Sequence, residues 1–161
     1  MTVKDYNKAV EDHSNGIYRF ILKNIRDQEK AKDVVQDTFE KCWIKRETVD
    51  AAKVKSYLFS AAYHTMIDMI RKESRQTAFI EVKCENLAHD NQYTDLNEVL
   101  HKAIQLLPDA QRSVILLRDY EGYSYEEIAE ITGLSESQVK VYIYRGRVFL
   151  KNYIGSPEKV L

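Results

Sequence analysis

A chain of 161 residues has room for one ordinary domain or for two small ones of about 70 residues each. Its composition, 44% hydrophobic and 30% charged, supports a folded core and excludes wholesale disorder, and only 5 Gly and 2 Pro argue against a strand-rich, hairpin-rich fold. The net charge of −1, from 24 basic and 25 acidic residues, provides no overall attraction for a polyanion, so any such attraction has to be local.

In chain order, apolar periodicity predicts helices near Lys4–His13, Ile17–Ile25, Glu29–Lys45 and Val54–Glu73. From Thr77 to Tyr93 the periodicity lapses and Asn, Asp and His accumulate, as in a linker. Helices resume near Leu96–Leu106, Ala110–Tyr120, Tyr125–Ile131 and Glu136–Tyr153. The expected fold is all-α, with two small helical domains, 1–76 and 95–161, joined by a flexible acidic linker, 77–94. Each domain alone would be only marginally stable, because so small a unit buries roughly 60% of its unfolded surface.

Charge follows the same division. Residues 53–76 carry a net +3 and residues 137–154 a net +4, while residues 77–100 carry −4. Two basic segments on either side of an acidic one fit two nucleic-acid contacts on one chain, although solvated helix faces would also be uneven. The two cysteines, Cys42 and Cys84, form no CxxC pair, the N-terminus has no apolar signal segment, and no run of about 18 apolar residues occurs. The expected compartment is the reducing cytoplasm.

The strongest motif lies between Ser124 and Ile154. Ser124 with Glu127, and Ser135 with Gln138, have the spacing of capping boxes, so two helices start eleven positions apart. The first must be very short, with Gly133 providing the left-handed turn. Ala129 at the crossing and Val139 beneath the second helix complete a helix-turn-helix. An αα-hairpin with no nucleic-acid role would share the turn, but not the whole set of spacings.

At 100° per residue, Val139, Tyr142, Ile143, Gly146, Leu150, Tyr153 and Ile154 form the core side of the second helix. Lys140, Val141, Tyr144 and Arg145 fall opposite, in the turns that contact base edges. Lys140 and Arg145 suit guanine or phosphate, and Val141 and Tyr144 suit a thymine methyl. Arg118, at the end of the preceding helix, suits a phosphate or equally the helix dipole.

In the first half, Ala31, Val35, Phe39, Cys42 and Trp43 share a stripe of one helix, with Asp33, Gln36, Asp37 and Glu40 on its other side. By physics alone that acidic side is simply solvated. Residues 54–73 mix apolar positions with Tyr57, Phe59 and Tyr63 and end in RKESR. Aromatic rings beside basic side chains suit single-stranded DNA, which stacks on rings while cations follow its phosphates. Tyr57 and Phe59 fit a core role, and Tyr63 is the better prospect for exposure.

DVVQDTFEKCW, then SYLFSAAYHTMIDMIRKESR, then an acidic stretch, then LPDAQRSVILLRDYEGYSYEEIAEITGLSESQVKVYIYRGRVFL resembles a bacterial RNA polymerase sigma factor. The resemblance is to the small extracytoplasmic-function (ECF) subgroup of the sigma-70 family, which keeps only regions 2 and 4. It implies a protein that binds core polymerase, directs it to promoters and promotes DNA opening. Asp33, Gln36, Asp37 and Glu40 would dock on the clamp helices of the largest subunit, and the second domain would lie near the flap. Lys53, Lys55, Tyr63, His64, Arg71, Lys72 and Arg75 would recognise and melt the −10 element, including a flipped base. Arg118, Ser137, Gln138, Lys140, Val141, Tyr144 and Arg145 would read the −35 duplex. The linker would enter the RNA channel, and an anti-sigma factor would be a further partner.

The chain departs from the family's usual residues at Lys30 and Lys32 (acids), Tyr57 (Trp), His64 (Asn), Gln138 (Thr) and Gly146 (Ala). A dimeric helix-turn-helix regulator is the competing expectation. It needs neither the acidic face around Asp37 nor the aromatic and basic helix. An enzyme is not expected, because the chain has no glycine-rich phosphate loop, GxSxG or HExxH. No cofactor and no metal are expected, since His13, His64, His89 and His101 lack ligand spacing.

Overall fold

A computed structural model describes residues 1–77 and 96–155, and the expected linker lies almost wholly outside the described residues. Thr2 begins α1 (Val3–Ile25): its hydroxyl accepts from the Asp5 amide while the Asp5 carboxylate accepts from the Thr2 amide. Arg26 ends α1 in the left-handed region at φ 57°, and Asp27 then accepts from the Lys30 amide to start α2 (Gln28–Ile44). This two-residue joint folds α2 back along α1. After a single 3₁₀ turn, Ala51–Lys53, comes α3 (Val54–Thr77).

The two short helices expected before residue 26 are one. Ala9, Ile17, Phe20 and Ile21 make a continuous buried stripe across Ser14-Asn15-Gly16, so packing overrides the local turn signal. Gly16 lies where a Cβ would come 3.7 Å from the Phe59 ring of α3. Phe20 and Phe59, with centroids 5.7 Å apart, sit at the centre of this three-helix unit with Leu58, Ala62 and Met66.

The second unit contains α4 (Leu96–Leu106), α5 (Asp109–Ile115), α6 (Tyr125–Thr132) and α7 (Glu136–Ile154). The expected helix 110–120 is α-helical only to Ile115 and continues as wider π turns over Leu116–Tyr120, with the Glu121 amide donating to Leu116 O at 3.1 Å. Val114, Ile115, Leu116 and Leu117 are all buried, which puts apolar side chains right around the segment and makes it the centre of this unit. Fully burying such side chains stabilises by about 1.5–3 kcal/mol each.

The two units pack against each other. In this contact, α6 lies on α3, and the α5 segment touches α1. Among the described residues there are no strands, and no helix is long and apolar enough to cross a membrane.

Candidate nucleic-acid and polymerase interfaces

The helix-turn-helix is built as its spacing predicts. Ser124 Oγ accepts from the Glu127 amide while Glu127 accepts from the Ser124 amide, and Ser135 and Gln138 repeat the exchange. Gly133, at φ 77°, closes α6 by donating to Ala129 O at 2.9 Å. Thr132 ties the turn further: its hydroxyl donates to Ile128 O at 2.8 Å and accepts from the Leu134 amide at 3.3 Å. Ile128, Ile131, Val139 and Ile143 are buried between the helices. A Cβ on Gly146 would come 2.9 Å from Ile115 Cγ1, so close approach of α7 to the α5 segment accounts for the glycine.

The opposite side of α7 is open. Ser137, Gln138, Lys140, Val141, Tyr144 and Arg145 are all exposed, Tyr144 at 70%. Lys140 makes an exposed i,i+4 ion pair with Glu136 at 3.5 Å, which leaves it easy to redirect. Arg147 is committed elsewhere. Its guanidinium grips Asp119 through two nitrogens, and that hydrogen bonding raises its pKa. Arg118 is half-buried, donates to Tyr123 O at 2.9 Å and stacks 4.5 Å above the Tyr125 ring. It therefore secures the turn that carries α6, rather than the helix dipole alone.

On α2, Asp33, Gln36, Asp37 and Glu40 form an exposed acidic face. The two lysines that depart from the family pattern do not neutralise it. Lys30 pairs with Glu73 of α3 at 2.8 Å, and the hydrogen bond raises its pKa. Lys32 pairs with Glu29 at 3.6 Å. The buried stripe of α2 is Ala31, Val34, Thr38, Phe39 and Cys42; Val35 packs against the core half-buried, and Trp43, expected on the stripe, lies outside it. Trp43 is 38% exposed, lying against Tyr6 and under the Arg46 guanidinium at 4.0 Å.

Lys53, at the end of the 3₁₀ turn, and Lys55, Arg71, Lys72 and Arg75 of α3 are exposed. Tyr63 is not: it is 7% exposed, and burial raises its pKa. Tyr63 stands four residues after Phe59 and three before Met66, so the turn of its own helix already puts it on the buried side of α3. His64 is exposed rather than buried, with Nδ1 2.8 Å from Ser60 O and its ring edge-on to Tyr63. A cleft of about 400 Å³ opens beside the start of α3, lined by Lys53, Ser56, Tyr57 and Ser60, by the 48–50 loop, and by Glu130 of α6. Glu130 has no counterpart in the sequence reading. No periodicity or motif marks a residue of one unit as lining a cleft of the other.

Residues 9–76 match the family model of Sigma-70 region 2, and residues 97–150 match that of Sigma-70 region 4. RNA polymerase sigma factor SigV of Bacillus subtilis is 32% identical over 140 residues, covering 85% of this chain and 83% of its own. The chain belongs to the sigma-70 family of RNA polymerase sigma factors. YlaC, another RNA polymerase sigma factor of that organism, is 33% identical over 145 residues, covering 84% of this chain and 83% of its own. The ECF RNA polymerase sigma factor SigM, again from B. subtilis, is 29% identical and covers 86% and 88%, which agrees with the ECF subgroup. Among solved structures, the sigma factor RpoE of Bartonella quintana, in complex with the anti-sigma factor NepR, matches with TM-score 0.81 and 28% identity over 96% of this chain and 99% of its own. This sigma factor is thus an ECF-type, promoter-specific one, and the dimeric regulator finds no support.

Proposed function

We propose that this sigma factor docks on core RNA polymerase through the α2 face and reads a bipartite promoter with its two units. Asp33, Gln36, Asp37 and Glu40 meet the clamp helices of the largest subunit, and the helix-turn-helix unit lies near the flap. The observation that carries the reading is the bare side of α7, where Lys140, Val141, Tyr144 and Arg145 are exposed together on a helix fixed by two capping boxes. A helix so presented enters the major groove and contacts base edges from its first turns. Ser137 and Gln138 lie at its entry, and Arg118 holds the supporting turn.

The −10 element is opened and read along α3. Exposed Lys53, Lys55, Arg71, Lys72 and Arg75 follow phosphates, and His64 offers a ring nitrogen to a base. The cleft beside Tyr57 has the size and polar lining to take an unstacked base. Tyr63 is buried and stays outside the set. The chain contributes binding and positioning with no catalysis of its own, and works in the cytoplasm. An anti-sigma factor is a further partner, in keeping with the NepR complex of the B. quintana relative.

The test is run-off transcription by sigma-free core enzyme on a pooled promoter set, with and without this chain. Specific transcripts that depend on the chain support the reading, and their absence across a genomic library overturns it. Asp37→Arg, a reversed charge at an exposed interface position, should weaken core binding by about tenfold or more while duplex DNA binding by α7 holds. An equal loss of both would remove the docking assignment.

A further inference from the structure

The acidic face of α2, the basic side of α3 and the open side of α7 leave one cationic groove unaccounted for. It lies where α1 ends, against α4 and the last turns of α7. One hollow of about 400 Å³ is lined by Lys23, Arg26 and His101 among others. A second, of about 440 Å³, shares Arg26 and His101 and adds Lys102, Leu106, Tyr153 and an acid, Glu98. Gln105 of α4 ties the two sides of the groove together by donating to Lys23 O at 2.7 Å.

Arg26 is exposed, and among the described residues it is the one non-glycine with a positive φ, 57°. A Cβ crowds that conformation, so a glycine would end α1 with less strain. A long cation kept at a strained position points to a role beyond folding. Neither Arg26 nor Lys102 makes an ion pair among the described residues. Lys23 is short of counter-charge as well: burial lowers its pKa, Arg19 adds to the lowering, and Glu121 offsets only part.

Guanidinium, ammonium and imidazole groups converging from α1 and α4 suit phosphate oxygens, which an arginine can meet with two parallel donors. A bare anion would need only those cations. The second hollow also carries Leu106, 60% exposed, and the half-buried Tyr153 ring, which stacks on Phe149 with centroids 6.0 Å apart. An apolar, aromatic wall beside a cationic one fits a ring joined to phosphates. The Glu98 carboxylate adds an acceptor for a base N–H. Both hollows have the size of small-ligand sites.

We propose that this groove binds a nucleoside polyphosphate, its phosphates on Lys23, Arg26, His101 and Lys102 and its base against Leu106 and Tyr153. The ligand touches both units and so favours the packing in which the groove exists. No residue of the polymerase or promoter sets takes part, and the site is independent of those assignments.

Fluorescently labelled GTP and ATP, titrated into the full chain, test it. At least one should bind saturably and about tenfold tighter than inorganic tripolyphosphate measured by competition. Saturating nucleotide should also raise the unfolding midpoint. Arg26→Gly removes the cation but keeps the left-handed turn, so it should weaken binding about tenfold in a chain that still folds. Lys102→Glu should do the same. Lys4→Glu should not, because the helix rise puts it about 33 Å away at the other end of α1.

No saturation by about 1 mM nucleotide overturns the site. An equal loss in Lys4→Glu overturns it too, by marking attraction to overall charge. Unchanged affinity in both Arg26→Gly and Lys102→Glu would put the nucleotide elsewhere. Tripolyphosphate binding as tightly as either nucleotide would overturn the base-holding wall.

Discussion

Helices α3 and α7 are both long, both carry basic side chains, and both are proposed to face DNA, yet they are built in different ways. α7 rests on its own unit and leaves one side to solvent. Val139, Ile143, Gly146 and Leu150 are buried on one stripe, and the reading residues are exposed on the other. α3 is held from both sides, by α1 and α2 of its own unit and by α6 of the other. A surface helix with one buried stripe can be interpreted from its periodicity. A helix packed on several sides is harder to interpret, because its buried side is wide. Tyr63, between Phe59 and Met66 on that side, is the case.

The comparison breaks most easily at Gly146. Gly146→Leu would drive a side chain into Ile115, whose Cγ1 would stand only 2.9 Å from even a single added Cβ, and overpacking of this kind costs about 1–3 kcal/mol. Thermal unfolding should show the loss, and an unchanged midpoint would mean that α7 has room to move. Next in size, Arg145→Ala or Lys140→Ala should alter −35 preference, each lost bidentate base contact being worth roughly 1–3 kcal/mol. Equal weakening on every duplex, measured by competition binding, would make these residues phosphate contacts instead.

Ser135→Ala should cost about 1 kcal/mol by removing the acceptor for the Gln138 amide. Denaturant titration checks it. The smallest effect is on pH dependence, and it sharpens the contrast from the α3 side. Burial raises the phenol pKa of Tyr57, Tyr63 and Tyr123, most strongly at Tyr123, above the ordinary 10.0. Above pH 10 the unfolded chain therefore sheds these protons first, and stability falls as pH rises further. Tyr123→Phe, which also removes a hydroxyl that has no partner among the described residues, should flatten the alkaline decline. An unaltered decline measured by unfolding between pH 9 and 11 (values that bracket the ordinary phenol range) would assign it to other groups.

Local chemistry explains what was legible in advance. Capping boxes at Ser124 and Ser135, the left-handed Gly133 and the core side of α7 each depend on residues within a few positions of one another. The acidic face of α2 was legible for the same reason. The missed features all depend on a distant neighbour. α1 runs through Gly16 where α3 packs, Trp43 lies against Tyr6 of α1, and Lys30 turns to Glu73 of α3.

The amino-acid order alone determined the helices, their caps, the reading side of α7 and the family, since these depend on spacing along one chain segment. The tertiary structure alone decided how the two units sit together: Arg19 on Glu121, Asn24 on Ser113, and Glu130 in the cleft beside Lys53. The first two pairs join residues 102 and 89 positions apart. No periodicity reaches that far, and only a packed interface that must satisfy its buried polar groups brings such residues together.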